Sequence, residues 1–286
     1  MTALHVSAPN TAGRGESRPI AIITGASSGI GRDFADLYAR DGHDLVLVAR
    51  RRDALELLGR SLGERYGIVC DVFPADLARR LDREHLAARV RSIDDRIVAL
   101  VNNAGIGTHG YFHETDLERE LEIIELNIAA LTHLTKLILP GMLARRTGHI
   151  VNVSSLAAFQ PGPLMAVYYA SKAYVQSFSE ALAEEVAGTG VTVTALCPGP
   201  TQTEFQGRSG IHADAPAGGP QTMTSREVAE AGYRAANRGK RVVVTGFRNK
   251  IVVLANRLLS RRSMARLVRR LQERRRAATR RALTKT

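Results

Sequence analysis

Tyr168 and Lys172 stand four residues apart in Tyr168-Tyr-Ala-Ser-Lys172, and Ser155 lies thirteen residues upstream of Tyr168. On a helix, positions i and i+4 share one face, so this phenol and this ammonium would look into the same space. A phenol with the reference pKa of about 10 donates a proton readily at neutral pH but recovers it poorly as a base. A nearby ammonium favours the phenolate and draws that pKa toward working pH. This makes Tyr168 a candidate general acid/base with Lys172 as its tuner. Tyr169 is a competing phenol, but its i+4 position is Ala173 and not a lysine. A serine hydroxyl beside such a pair can hydrogen-bond an oxygen on which negative charge develops. The trio therefore suits protonation of a carbonyl oxygen as hydride reaches its carbon.

A glycine-rich turn, Thr24-Gly-Ala-Ser-Ser-Gly-Ile-Gly31, precedes this set. Glycines at positions 25, 29 and 31 allow the backbone to turn tightly and approach a pyrophosphate. The helix that follows offers unpaired N–H groups and the positive end of its dipole. Gly25, Ser27, Ser28, Gly29, Ile30 and Gly31 are accordingly candidate cofactor contacts. The second strand ends in Ala49-Arg50-Arg51-Arg52, with no acid before Asp53. An acid at that strand end would bond the 2′-hydroxyl of NAD, whereas arginine pairs with the 2′-phosphate of NADP. The expected cofactor is NADP(H), with Arg50 as first ligand and Arg51 beside it.

The elements that must position these groups alternate along the chain. Short apolar strands are expected at 19–24, 44–49, 67–73, 97–101, 149–153, 191–196 and 241–245. Helices are expected after the glycine turn to about Arg40, over 51–65, over about 116–146 with a kink at Pro140, and over 165–187. The strands are continuous runs of Val, Ile and Leu, as strands buried on both faces should be. Strands separated by helices imply an α/β fold with a doubly wound parallel sheet. Residues 1–18 read as a disordered leader, 19–250 as the catalytic domain, and 251–286 as a basic amphipathic tail. A Gly-, Pro- and Ala-rich stretch from Gln206 to Thr222 reads as a mobile lid.

The glycine turn, Ser155 and Tyr168-x-x-x-Lys172 occur in the order and spacing of the short-chain dehydrogenase/reductase family, whose single-domain branch this chain resembles over about residues 19 to 246. The turn is similar to that family's TGxxxGxG. The resemblance implies further roles. Lys172 would hold the nicotinamide ribose, and Asn127 would hold a water in a proton relay. Asp76 and Leu77 would contact adenine, and Asn103 would sit beside the adenosine ribose. Cys197-Pro-Gly-Pro-Thr-Gln-Thr203 is similar to the family's PGxxxT, which would place Pro198, Gly199, Thr201 and Thr203 along the nicotinamide. Ser154 is one residue off the family spacing. A homodimer or homotetramer is a family expectation. An epimerase of the longer branch would carry a different glycine spacing and a larger C-terminal region.

Family membership does not name a substrate. The pocket should be lined by 107–113, 159–165 and the lid. The apolar Phe159, Leu164, Met165 and Phe205 favour an apolar ketone or alcohol over a sugar. An apolar content of 44% over 286 residues is enough for a sizeable core. Cys70 and Cys197 lack disulfide or metal-ligand spacing, and no secretory signal or long apolar run is visible, so a soluble cytoplasmic protein is expected. Of the net charge of +12, +11 falls in residues 257–286, where twelve Arg or Lys face one acid, Glu273. There Met264, Leu267, Val268 and Leu271 share one helix face, with Arg262, Arg266, Arg269 and Arg270 opposite. Such a helix either packs on its own body or docks peripherally on an anionic membrane or an acyl carrier. No aromatic residues interleave the arginines, which argues against nucleic acid. A nucleotide-binding scaffold or sensor that works through the tail is the alternative to an enzyme.

Overall fold

A computed structural model describes residues 18–210 and 222–283. Strand β1 (Ile20–Thr24) runs into helix α1 (Gly29–Arg40), followed by β2 (Asp44–Ala49), α2 (Arg52–Tyr66), β3 (Cys70–Pro74) and α3 (Arg80–Arg91). Next come β4 (Ile97–Asn102), α4 (Leu117–Ile124), a π-helical stretch over Glu125–Ala130, and α5 (Leu131–Arg145). After β5 (Gly148–Val153), α6 (Ala166–Glu185) and β6 (Val191–Cys197) lie three short elements, β7 (Thr201–Gln202), α7 (Phe205–Arg208) and β8 (Met223–Thr224). The chain closes with α8 (Ser225–Asn237), β9 (Val242–Val244), α9 (Phe247–Leu258) and α10 (Arg261–Leu283).

Seven strands form one sheet in the order β3-β2-β1-β4-β5-β6-β9, all parallel. This is the doubly wound arrangement expected. Every residue of β1 is buried, and its alternate side chains feed two cores. Ile22 packs with Leu86, Leu100, Leu134 and Ile150 on one face, and Ile23 packs with Phe34, Val101, Val151 and Val228 on the other. Burial of each such side chain contributes roughly 1.5–3 kcal/mol, which is why the strands can dispense with polar alternation. The chain winds away from β1 in both directions, toward β2 and toward β4. That switch point leaves a crevice beyond the carboxyl ends of the two central strands.

Several boundaries differ from the sequence-based expectation, each for a local reason. β3 begins at Cys70 and not at Gly67, because Gly67 caps α2 in the left-handed region at φ 66°. Helix α3 was not among the expected elements. Its segment RLDREHLAARVR is dominated by charge, and Leu86, Ala87 and Val90 are the apolar residues that it buries. The helix continues through Pro140, and its irregularity falls at Glu125–Ala130. By length and composition, Leu117–Arg145 is the one helix among the described residues apolar enough to cross a membrane. It buries Leu131, Leu134, Ile138 and Met142 in the protein.

The expected boundary at residue 250 falls inside α9, and the tail forms two helices with a break near Ser260. Residues 1–17 of the leader, 211–221 of the lid and 284–286 of the tail lie outside the described residues.

Candidate active site

The end of β1 is tied to the end of β4 before any ligand is considered. Thr24 Oγ1 donates to the Val101 carbonyl (3.2 Å) and accepts from the N–H groups of Asn103 and Ala104, both at 3.0 Å. The Asn103 amide donates to the Thr24 carbonyl at 2.9 Å and the Gly25 carbonyl at 3.3 Å, bracing the glycine turn. Gly25 and Gly29 adopt φ of 66° and 55°, a region costly for other residues. A Cβ on Gly31 would overlap the Gly25 carbonyl oxygen, which is backbone and cannot swing aside. Gly31→Ala is therefore expected to distort the turn, lowering stability by about 3 kcal/mol in a denaturant titration and weakening dinucleotide binding more than tenfold.

The first turn of α1 has no side-chain cap from Ser28, whereas Asp116 caps α4 and Thr224 caps α8. Its amides are free for an anion. At the end of β2, Arg50 and Arg51 line the same cavity as the turn, with guanidiniums about half exposed. Arg50 Nη1 lies 3.2 Å from a Glu122 oxygen and 3.9 Å from Asp76. Arg51 Nη2 donates to the Ser27 carbonyl at 3.2 Å and lies 3.1 Å from Glu204. Arg52 instead pairs with Glu56 on the surface of α2. Arg51 is thus fastened to the glycine turn directly, while Arg50, the first choice from sequence, leans on the carboxylates across the crevice.

One cavity of about 1250 Å³ unites the predicted residues. Gly25, Ser27, Ser28, Gly29, Ile30, Arg50, Arg51, Asp76, Leu77 and Asn103 line it, together with Ser155, Tyr168, Lys172, Pro198, Gly199, Thr201 and Thr203. The two exceptions are Gly31 and Asn127, which lie behind the wall. Thr203 closes over the turn, its methyl 3.0 Å from where a Cβ of Gly29 would be.

Tyr168 and Lys172 sit one turn apart on α6, with the Lys172 ammonium 5.8 Å from the centre of the Tyr168 ring. Burial pushes the Tyr168 phenol up to about 12, against a hydrogen bond with Ser155 that lowers it. Burial pushes the Lys172 ammonium down to about 8, and Lys172 Nζ donates to the Val153 carbonyl at 2.8 Å. The expected lowering of the tyrosine by the lysine is not seen: only the Ser155 hydrogen bond opposes burial. Desolvation dominates both groups, and the ammonium is directed at a backbone carbonyl. The Ser155 hydroxyl accepts from the Ala157 N–H at 3.1 Å, which fixes its direction. The Ser154 hydroxyl donates to the Lys172 carbonyl at 2.9 Å.

Asn127 lies in the π-helical stretch and is almost fully buried. Its amide accepts from Ile106 N–H, and donates to Ile106 O and Ser171 Oγ, each at 3.0 Å. It therefore clamps the loop after β4 onto α6. A Cβ on Gly105 would stand 3.2 Å from Asn127 Oδ1 and 3.4 Å from Lys172 Nζ, so both groups back onto that glycine. Single π turns inside α-helices occur often at functional sites, and here one carries the asparagine.

The far wall was the least visible from sequence. Val252 and Leu259 of the α9 region, with Met264, Leu267, Val268 and Leu271 of α10, line the cavity. The apolar stripe read from the tail thus faces the site, and α10 packs on its own body. It is fastened there by Gln272, buried and donating to the Tyr169 hydroxyl at 3.1 Å, and by Tyr111, which donates to Glu273 at 2.9 Å. Arg276 adds an ion pair with Glu114 and stacks 4.8 Å over the Tyr111 ring. His109 faces Gln272 and is held below the usual imidazole range by burial, while His113 lies on the surface beside Glu114. Phe205 lies against Tyr168, ring centres 5.3 Å apart. Gln272 had no signal in the sequence beyond its i+4 position after Val268.

Residues 19–213 match the family model of the short chain dehydrogenases. Hydroxysteroid dehydrogenase-like protein 1 of Gallus gallus is 37% identical over 181 residues, covering 62% of this chain and 54% of that protein. The chain therefore matches about half the length of that relative. A very-long-chain 3-oxoacyl-CoA reductase of Anas platyrhynchos is 33% identical over 224 residues, covering 77% of this chain and 70% of that one. Among solved structures, a short-chain dehydrogenase from Sphingobium yanoikuyae in complex with NADPH superposes with a TM-score of 0.76 at 36% identity, covering 84% of this chain and 94% of that one. The sheet order and the matched segment, which runs from the glycine turn through the tyrosine–lysine helix, agree: this chain belongs to the short-chain dehydrogenase family.

Proposed function

We propose that the protein is an NADP(H)-dependent oxidoreductase that moves hydride between the nicotinamide and the carbon of a largely apolar ketone or alcohol. One observation carries this reading: Ser155, Tyr168 and Lys172 line a single cavity with the glycine turn and two arginines. The residues present fit a dinucleotide phosphate. The turn has no room for a Cβ at Gly31, the α1 amides lack a side-chain cap, and two half-exposed guanidiniums stand where a 2′-phosphate needs a partner. The NADPH bound in the Sphingobium relative supports the choice.

When bound, the cofactor supplies or accepts the hydride. Tyr168 gives its proton to the substrate oxygen in reduction and takes it back in oxidation. Ser155 hydrogen-bonds that oxygen as charge develops. Lys172 holds the nicotinamide ribose and Asn127 positions the proton path behind Gly105. Pro198, Gly199, Thr201 and Thr203 hold the nicotinamide end, and Asp76, Leu77 and Asn103 the adenosine end. Met165, Met264 and Val268, all buried, exclude water at the wall, and with Val252, Leu259, Leu267 and Leu271 they favour an apolar substrate. The test is loss of reduced-nicotinamide absorbance over ketones graded by chain length and ring count. Turnover should climb with apolar size. Turnover confined to small sugars would overturn the apolar reading, and tight NADPH binding without any turnover would favour a nucleotide-binding scaffold.

Arg50 and Arg51 give the cofactor choice its own test. Arg51→Ala should raise KM for NADPH about tenfold or more and leave KM for NADH unchanged, since a charge-assisted bond to the phosphate is worth roughly 1.5–3 kcal/mol. Arg50→Ala should act the same way and at least as strongly, because it also leaves Glu122 and Asp76 uncompensated, and their carboxylates repel the phosphate. A homodimer or homotetramer belongs to this reading. Leu117, Leu121 and Ile124 form an exposed apolar row on α4, beside acids paired with arginines (Glu122 with Arg50 and Arg119, Glu125 with Arg83), which supports contact with a second copy.

A further inference from the structure

Helix α9 presents a second apolar row that lies outside the core and touches the cavity only at its first residue, Phe247. Phe247, Ile251 and Leu254 recur at i, i+4 and i+7 and are 78%, 52% and 60% exposed. Isolated exposed apolar residues are ordinary, but a row of them on one helix face marks a surface that meets something. Phe247 also lines the cavity, so the row runs up to the mouth of the site.

The charge around the row is of one sign. Between Glu230 and Glu273 the chain carries twelve Lys or Arg and no Asp or Glu. Arg248 and Lys250 flank the row on α9, and Arg261, Arg262 and Arg266 follow on α10. All five are exposed, and none has an ion-pair partner among the described residues. An isologous contact would set this face against itself and bring like charges together. A second copy of the chain is therefore a poor occupant here, and the α4 row, whose Glu122 and Glu125 are paired with Arg50, Arg119 and Arg83, suits it better. An apolar row rimmed by arginine and lysine fits an anionic bilayer, with the apolar side chains sunk to the acyl boundary and the cations among the headgroups.

We propose that the α9 face and the first turns of α10 form a docking surface for an anionic lipid bilayer, seated so that the mouth of the cavity opens onto the membrane. An apolar substrate dissolved in the bilayer would then reach the site without crossing water. This last part rests on the oxidoreductase reading, whereas the docking itself does not. It differs from the docking alternative drawn from sequence, in which the face of Met264, Leu267, Val268 and Leu271 met lipid instead of packing on the body of the protein. That face lines the cavity, and the lipid-facing residues are those of α9.

The experiment is flotation of the full chain with vesicles of phosphatidylcholine alone or mixed with phosphatidylglycerol, at low and high salt. The protein should float with the anionic vesicles only and be released by salt. Ile251→Glu with Leu254→Glu should weaken binding about tenfold or more while NADPH binding stays unchanged, since neither residue lines the cavity. Arg261→Glu with Arg262→Glu should weaken it as well and flatten its salt dependence. If the pair of glutamates disturbs folding, seen as lost NADPH binding, Ile251→Ser with Leu254→Ser replaces it. No flotation with anionic vesicles at low salt, or equal flotation of the α9 variants, overturns the proposal. So does an oligomer in sedimentation velocity that the α9 variants reduce to monomer, which would assign the face to a second copy. Flotation needs no turnover, so a protein that floats but reduces no ketone would overturn the enzyme reading alone.

Discussion

Replacing Tyr168 with phenylalanine is expected to lower kcat for carbonyl reduction by about 10³-fold with NADPH binding unchanged, within the range of 10²–10⁴ that a positioned general acid contributes. The change removes one hydroxyl and keeps the ring, which is packed against Phe205 and edge-on to Tyr169. The fold and the cofactor end of the cavity therefore have no reason to move. Tyr169 is the nearest substitute acid, but its hydroxyl accepts from Gln272. The direction of pH dependence follows from burial. With the phenol pushed up to about 12, it stays protonated across the neutral range, so reduction should be flat there. Alcohol oxidation needs the phenolate and should rise with pH. Steady-state kinetics in both directions, with NADPH fluorescence as the binding control, would settle it. A variant that keeps more than a tenth of wild-type turnover would falsify the role given to Tyr168.

The parts of this fold that were legible from sequence are those where one local rule decides. Strands such as Asp44–Ala49, DLVLVA, are buried on both faces and need no alternation to be recognised. The glycine turn reads clearly because steric limits at Gly25, Gly29 and Gly31 leave few other residues possible. Tertiary structure decided the rest. Helix α3 is dense in charge, and its Leu86 and Val90 find a core that no local pattern announces. The π turn depends on how Asn127 clamps Ile106 and Ser171, residues 21 and 44 positions away. For the tail, the helical period of the apolar residues was visible, but period alone does not say what the face meets. Tyr111, Glu114 and Tyr169 decide that, and they lie more than 100 residues upstream of their partners on α10.

Lys172→Met is expected to abolish most turnover and yet to stabilise the protein without cofactor at neutral pH. Lys172 is 5% exposed, and burial brings its ammonium from the ordinary 10.5 down to about 8. A lysine whose folded pKa is lowered disfavours folding while charged. That cost is fully present below about pH 8, shrinks as the folded protein gives up its proton, and is gone above 10.5, where the unfolded chain is neutral too. The gap between 10.5 and about 8 corresponds to about 3 kcal/mol. Methionine keeps most of the length and removes the charge, but it leaves the Val153 carbonyl without its 2.8 Å donor, a loss of about 1 kcal/mol. The net gain should be about 2 kcal/mol at pH 7, a rise in Tm of roughly 5 °C, fading toward pH 10. Saturating NADPH should narrow the difference, because the wild type alone has the ammonium to meet the ribose. A methionine variant less stable than wild type at pH 7 would mean that contacts in the site already compensate the buried charge, and that Lys172 is held there by the fold as well as by function.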